Sequence, residues 1–257
     1  MSGSQQETIA TYRRFAAFYD GYVGRFHDDF GFYEAFCPPG EPVVEIGCGT
    51  GRILDLLLRL GCPTTGLDIS PEMLRLARER FPPALRTGRL ELSDHNYSNG
   101  PLGKKFSRAI ASFYTLNYIH EGLPDFLAGV RTDLVPDGAF LADLFVPVAL
   151  TRPGFDGAWV DKAVQFNGQT VPFRDRRLID GSFEIREQVY LVDDREIRIE
   201  TRRRFHTPAE MQSTLEEAGF GEILFAPRYD YPHLGPSSDM PDLDTNYVVV
   251  AWNRDPS

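Results

Sequence analysis

The most constraining stretch of the chain is Pro42-Val43-Val44-Glu45-Ile46-Gly47-Cys48-Gly49-Thr50-Gly51. A short β-rich run breaks into glycines at alternate positions, and the last of them opens a helix with apolar Ile53, Leu54, Leu56, Leu57 and Leu60 on a wide face. Glycines at such a turn let the backbone reverse sharply and let a ligand approach where a Cβ would obstruct it. A second run, Gly66-Leu67-Asp68-Ile69, ends the next strand with Asp68 17 residues after Gly51. An acidic residue at that place in a doubly wound sheet accepts hydrogen bonds from both hydroxyls of a ribose.

The alternation of strand and helix continues to about residue 146, which predicts a parallel sheet with crossover helices. Strands are expected at Thr64–Ile69, Leu85–Leu92, Phe106–Phe113 and Ala139–Val146, with helices over Gly51–Leu60, after Ser70-Pro71 and over Leu123–Leu134. Past Val146 the period changes to two, as in Phe183-Glu184-Ile185-Arg186 and Ile197-Arg198-Ile199-Glu200. That pattern predicts an antiparallel meander with one wet face, turning at Asp193-Asp194-Arg195. Thr207-Pro208-Ala209-Glu210 is a capping box opening a helix that ends near Gly219. Two further strands are expected near Glu222–Pro227 and Tyr247–Trp252, joined by a loop over Tyr231–Asp244.

The predicted fold is therefore α/β: a doubly wound, mostly parallel seven-stranded sheet with an antiparallel last strand. Residues 1–257 read as one domain, with a helical lid at 8–36 and a β-rich, substrate-side insertion at 147–206.

Composition narrows the class of partner. A net charge of −10 disfavours a polyanion such as nucleic acid, and no window resembles a membrane span. The three cysteines lack metal-ligand spacing, as do the scattered histidines, so no metal site is predicted. A small-molecule substrate, a cytoplasmic location and a monomer or homodimer are the expectations.

The glycine pattern also bears on the cofactor. A dinucleotide loop reads G-x-G-x-x-G, but here the third glycine comes one residue early and Arg52 takes its place. A phosphate-binding G-K-[ST] is absent. Glu45, two residues before the first glycine, suits a cationic ligand better than a diphosphate. S-adenosyl-L-methionine, with an ammonium, a sulfonium and no phosphate, fits this chemistry.

Glu45-Ile46-Gly47-Cys48-Gly49-Thr50-Gly51 and Leu67-Asp68-Ile69-Ser70-Pro71-Glu72-Met73-Leu74 resemble the first two motifs of the class I S-adenosylmethionine-dependent methyltransferases, which are Rossmann-like. The N-terminal Phe18-Tyr19-Asp20 and the β-rich insertion are similar to the glycine and amino-sugar N-methyltransferases. The resemblance implies that Glu45, Gly47, Cys48, Gly49 and Gly51 line the methionine part of the cofactor. It further implies that Asp68 holds the ribose, that Ile69 and Met73 cover the adenine, and that Asp94-His95 lies near the adenine amino group. The usual pattern has glycine before that Asp, whereas Ser93 stands here.

The end of the fourth strand, Ser112-Phe113-Tyr114-Thr115-Leu116-Asn117-Tyr118-Ile119-His120, should border the reacting methyl. Ser112 is assigned to the cofactor side, and Tyr114, Asn117 and Tyr118 to the acceptor together with Tyr22. In the related Asn-Ser-Phe-x-His-Leu stretch, Asn and His stand where this chain has Tyr114 and Tyr118. His120 is the candidate general base, since imidazole titrates near neutrality. Tyr19 is the candidate to hold the sulfonium in line. Arg202-Arg203-Arg204 reads as a solvated or interface strand, or as a contact to an acidic substrate.

The function expected is methyl transfer to a nitrogen or oxygen of a small molecule, as in natural-product biosynthesis. The alternatives are an RNA or protein methyltransferase, or a cofactor-binding module without catalysis.

Overall fold

Valine-rich β1 (Val43–Ile46) is buried along its whole length, as a strand covered on both faces must be. It sits centrally in a seven-stranded sheet with β2 (Thr64–Leu67), β3 (Leu90–Ser93), β4 (Phe106–Ala111), β5 (Leu134–Phe145), β10 (Ile223–Pro227) and β11 (Asn246–Trp252). The computed structural model describes residues 9, 16, 19, 21, 23, 26–147, 157–166, 169–192, 195–241 and 246–255. The strand order is β10-β11-β5-β4-β1-β2-β3, parallel from β5 to β3, with β11 antiparallel to both its neighbours. The order reverses beside β1, where Glu45 pairs with Gly66 on one side and Ile110 on the other.

Helices cover both faces. Phe126, Leu127 and Val130 of helix Leu123–Asp133 pack with Met211 and Leu215 of helix Pro208–Glu217 on one side. Ile53, Leu56 and Leu57 of helix Arg52–Arg59 pack with Phe32 and Tyr33 of helix Phe30–Phe36 on the other. The predicted capping box is formed: Thr207 Oγ1 accepts from Glu210 N at 3.2 Å, and the Glu210 carboxylate accepts from Thr207 N at 2.7 Å. Of the proposed lid at 8–36, the described residues Ile9, Ala16, Tyr19, Gly21 and Val23 are helical.

The insertion is a second sheet in the order β6-β7-β8-β9, antiparallel throughout: β6 (Val160–Phe166), β7 (Gln169–Asp180), β8 (Phe183–Val192) and β9 (Arg195–Arg204). Val192 pairs with Arg195, so a reversal falls where the sequence predicts it, although Asp193 and Asp194 lie outside the described residues.

Three element boundaries differ from the sequence reading. The third strand is confined to Leu90–Ser93, because Pro82 and Pro83 start a short helix at Pro82–Arg86 and Gly88 turns the chain with φ +69°. The fifth strand begins at Leu134 instead of Ala139, with a register irregularity between Phe106 and Arg108 on its neighbour. The fourth strand stops at Ala111, since Phe113 and Tyr114 adopt φ of +50° and +66°. Among the described residues no helix is long and apolar enough to cross a membrane.

Candidate active site

A cavity of about 1010 Å³, its solvent-facing mouth included, lies at the carboxyl ends of β1, β2 and β4. This is where open α/β sheets receive ligands, at the point where strand order reverses. Gly47, Gly49, Asp68, Ile69, Met73, His95 and Ser112 line it on the predicted cofactor side, and Tyr19, Tyr118 and His120 border it as well.

The glycine turn has distinct local causes at each position. A β-carbon at Gly47 would lie 2.5 Å from Thr115 Oγ1, so only glycine lets the loop after β4 close against the turn. A β-carbon at Gly51 would strike Phe81 at 2.4 Å, which makes that glycine a packing requirement away from the cavity. Cys48 is likewise turned into a core cluster with Leu54, Leu74, Phe81 and Leu90, so the sequence assignment of these two residues to a ligand contact differs from where their atoms lie.

Asp68 ties the site together. Its Oδ2 accepts from Gly49 N and its Oδ1 from Ser70 N, both at 2.8 Å, so one carboxylate fixes both the glycine turn and the next helix start. Each oxygen retains a second lone pair for an incoming hydroxyl. Burial pushes the carboxyl up to about 6, against the lowering effect of those two N–H groups.

Glu45 is buried at 1% exposure, and its Oε1 accepts from Ser112 Oγ at 3.0 Å. Its Oε2 is buried with no hydrogen-bond partner. Burial pushes this carboxyl up to about 8, with Ser112 and Arg52 acting in the opposite sense. An orphaned buried carboxylate oxygen calls for a cationic or hydrogen-donating ligand group. The residues therefore fit S-adenosylmethionine: Glu45 offers an unmatched acid that an ammonium would satisfy, and Asp68 offers acceptor lone pairs that a ribose would satisfy.

Arg52, the residue in the place of a third dinucleotide glycine, faces away from any phosphate. Its Nη1 and Nη2 donate to the two carboxylate oxygens of Asp29 at 2.6 Å each, and Phe26, Phe30 and Phe113 each lie 5.5 Å from the guanidinium.

On the other side, His120 Nε2 lies 2.9 Å from the Arg202 carbonyl. A carbonyl only accepts, so Nε2 carries the proton of the neutral ring and Nδ1 keeps the lone pair. The Phe183 ring meets the imidazole edge-on at 5.2 Å, so the second sheet orients this side chain. Tyr19 packs against the apolar end of that sheet while its ring approaches Gly49, bridging the two halves.

Other sequence-assigned residues stand apart. Asp94 is exposed and lies outside the cavity lining, where Asn96 and Ser98 of the following turn take part with His95. Asn117 is fully buried: its amide donates to the Phe145 and Arg204 carbonyls and accepts from Phe145 N, so its polar atoms lock the second sheet to β5 instead of facing an acceptor. Tyr114 also stands outside the lining, stacked on Phe113 and hydrogen-bonded to Tyr229. Tyr22 lies outside the described residues. Phe113, Thr115, Glu121 and Phe126 line the cavity without having been singled out. Only the strained conformation of Phe113, invisible in sequence, distinguishes it from a core phenylalanine. Among the described residues no three His, Cys, Asp or Glu side chains cluster to hold a metal.

A fold of this topology with a glycine turn and acidic strand ends defines a nucleoside-cofactor-binding class. Residues 43–138 match a family described as "Methyltransferase domain". The chain is 28% identical over 160 residues to a dTDP-3-amino-3,4,6-trideoxy-alpha-D-glucopyranose N,N-dimethyltransferase of Streptomyces venezuelae, covering 61% of this chain and 63% of that protein. It spans less than two thirds of the length of the curated relatives it first matches, and only 17% of a demethylmenaquinone methyltransferase of Tropheryma whipplei. Its fold is similar to that of an S-adenosylmethionine-dependent methyltransferase of Clostridium acetobutylicum, with TM-score 0.74 and 18% identity, covering 94% of this chain and 98% of that one. It is also similar to DesVI of Streptomyces venezuelae, with TM-score 0.70 and 22% identity, covering 93% and 97% respectively. Residues 43–138 are thus similar to a methyltransferase domain, and the chain shares the fold of these S-adenosylmethionine-dependent methyltransferases.

Proposed function

We propose that this chain transfers a methyl group from S-adenosylmethionine to a nitrogen or oxygen of a small-molecule acceptor, with sugars and amino sugars the favoured class. The observation that carries the reading is the buried, unpartnered Oε2 of Glu45, whose chain neighbours Ile46 and Gly47 and hydrogen-bond partner Ser112 line the same cavity as Asp68. The resemblance to a nucleotide-sugar N,N-dimethyltransferase supports the acceptor class. When bound, the cofactor supplies a methyl already activated on a sulfonium. The chain's own residues then have to align and desolvate the acceptor. Ile69, Met73 and His95 flank the adenine end, Tyr19 faces the sulfonium, and Tyr118 and His120 face the acceptor. His120 Nδ1 takes a proton where the acceptor needs to lose one.

Incubating the protein with methyl-labelled cofactor and a panel of amino sugars, sugar nucleotides and free sugars tests the reading by mass spectrometry of products. Labelled product from one class supports it. No product, together with no heat of cofactor binding by calorimetry, rejects it.

The Glu45 environment makes a separate prediction. A carboxyl raised from 4.5 to about 8 is mostly protonated at pH 7, and an ammonium brought against it drives the proton off. Cofactor affinity should therefore rise with pH up to about 8, by at most about tenfold per unit, and level off there. The same raised value makes the ligand-free fold lose stability as pH climbs from 4.5 through about 8, because the folded state then holds a proton the unfolded chain has released. Calorimetry in buffers of different ionisation enthalpy should register proton release at pH 7 that vanishes in Glu45→Gln. Equal release in both proteins would contradict the assignment.

A further inference from the structure

Asp143, on β5, is a fully buried carboxylate that the cofactor contacts leave unused. Its Oδ1 accepts from the Tyr33 hydroxyl at 2.8 Å, and its Oδ2 from the Tyr229 hydroxyl at 2.9 Å. Burial pushes the carboxyl up to about 6 and Asp29 acts in the same sense, while the two hydroxyls and Arg52 hold it down. It is therefore mainly ionised at neutral pH and accepts both bonds.

The two tyrosines lead in different directions. Tyr33 is fully buried in helix Phe30–Phe36, where its ring meets Phe32 edge-on at 5.1 Å. Tyr229 follows β10 and is also hydrogen-bonded to Tyr114. A hydroxyl has one proton, and that of Tyr229 goes to Asp143, so Tyr114 is the donor to Tyr229.

Tyr114 reaches the cavity through Phe113. The two rings stack at 5.2 Å with 24° between their planes, and Phe113 lines the cavity. Both residues are left-handed, with φ of +50° and +66°, a conformation that non-glycine residues keep only where their surroundings hold it. Thr115 N donates to the Ser112 carbonyl at 3.2 Å and Asn117 N to the Tyr114 carbonyl at 3.0 Å, which closes the backbone of the turn. The Phe26 ring and the Arg52 guanidinium each lie 5.5 Å from the Phe113 ring, and Phe145 and Arg203 flank Tyr114 at 5.7 and 5.9 Å. Apolar and ring contacts of this kind tolerate sliding, whereas a hydrogen bond is directional. The bond to Tyr229 therefore fixes where the Tyr114 ring ends, and the stack passes that constraint to Phe113.

We propose that Asp143 is a positioning residue for the cavity: through Tyr229 it holds Tyr114, and through the stacked Tyr114 ring it aims Phe113 at the bound ligand. This role rests on the reading that S-adenosylmethionine occupies the cavity.

The test compares wild type with Tyr229→Phe, Tyr114→Phe and Tyr33→Phe, each of which loses one hydroxyl and keeps its ring. Thermal unfolding, calorimetric affinity for S-adenosylmethionine and amide hydrogen exchange over residues 112–118 are read on the whole chain. Tyr229→Phe and Tyr33→Phe each take one bond from the same carboxylate, so both should lower the melting temperature. Only Tyr229→Phe and Tyr114→Phe should speed exchange over 112–118 and weaken cofactor affinity, by about fivefold, the worth of one hydrogen bond. Tyr114→Phe leaves Asp143 both of its tyrosines, so it decides the matter where Tyr229→Phe fails to fold. Unchanged exchange in Tyr114→Phe, or the same acceleration in Tyr33→Phe, overturns the positioning role. Wild type that binds no S-adenosylmethionine rejects the cofactor reading instead, and the exchange contrast still reports whether Asp143 holds the turn.

Discussion

Arg52→Met should destabilise the fold by about 3–5 kcal/mol, the cost of removing one partner of a buried ion pair. Asp29 is fully buried and takes both its strongest contacts from this guanidinium, so methionine leaves a carboxylate without compensation. The pair does more than hold charge. Arg52 Nη1 also reaches the Phe26 carbonyl at 3.2 Å, and its guanidinium is surrounded by Phe26, Phe30 and Phe113. It therefore fastens the N-terminal segment to the helix that leaves the glycine turn, and also to the cavity-lining Phe113. Denaturant unfolding measures the loss. The double variant Arg52→Met with Asp29→Asn should recover a large part of it, because the orphaned charge is then gone. A single variant within about 1 kcal/mol of wild type would show that the pair is not fastening anything, since typical surface substitutions fall in that range.

Arg52 also illustrates what the sequence discloses and what it does not. Its position argued against a dinucleotide loop, because a third glycine belongs there, yet nothing local indicated Asp29 as its partner 23 residues earlier. The central strands and the glycine turn were legible because hydrophobic runs, glycine spacing and caps are local signals. Ser70 and Thr207 cap their helices as read, by accepting from Met73 N and Glu210 N. Strand ends were less legible. Leu85 and Arg86 look like strand approach but follow two prolines that favour a helix start, and Phe113 and Tyr114 end β4 through backbone angles that side-chain type does not disclose. Site residues divide the same way. Asp68 and the glycines are set by one strand pair, whereas the environments of Asn117 and His120 depend on where β9 returns, 82–87 residues later in the chain. Period-two alternation identified that meander as a sheet, but it carried no information about which face would meet β5.

Asp68→Ala should produce the largest loss of cofactor affinity, and it should also lower stability. On sequence alone Asp68 is a ribose ligand whose removal leaves the fold intact. The structure adds a second duty, since the carboxylate accepts from Gly49 N and Ser70 N at 2.8 Å each. Alanine strips both, and an unmet buried N–H costs about 1–3 kcal/mol, reduced here to the extent that water enters the cavity. The ribose contacts count separately: hydrogen bonds to a charged group are worth about 1.5–3 kcal/mol, or roughly 10- to 150-fold in affinity. Asp68→Asn separates the two duties. Its amide oxygen still accepts one backbone N–H, but its NH₂ faces the other donor, so the turn is partly held while the charge is gone. Calorimetry and thermal unfolding on both variants give the partition. If alanine loses stability but binds S-adenosylmethionine as tightly as wild type, Asp68 is only a structural clasp for the glycine turn, and the cofactor's ribose must be held elsewhere. If affinity falls in both variants and stability mainly in alanine, one carboxylate builds the turn and binds the ligand that the turn admits.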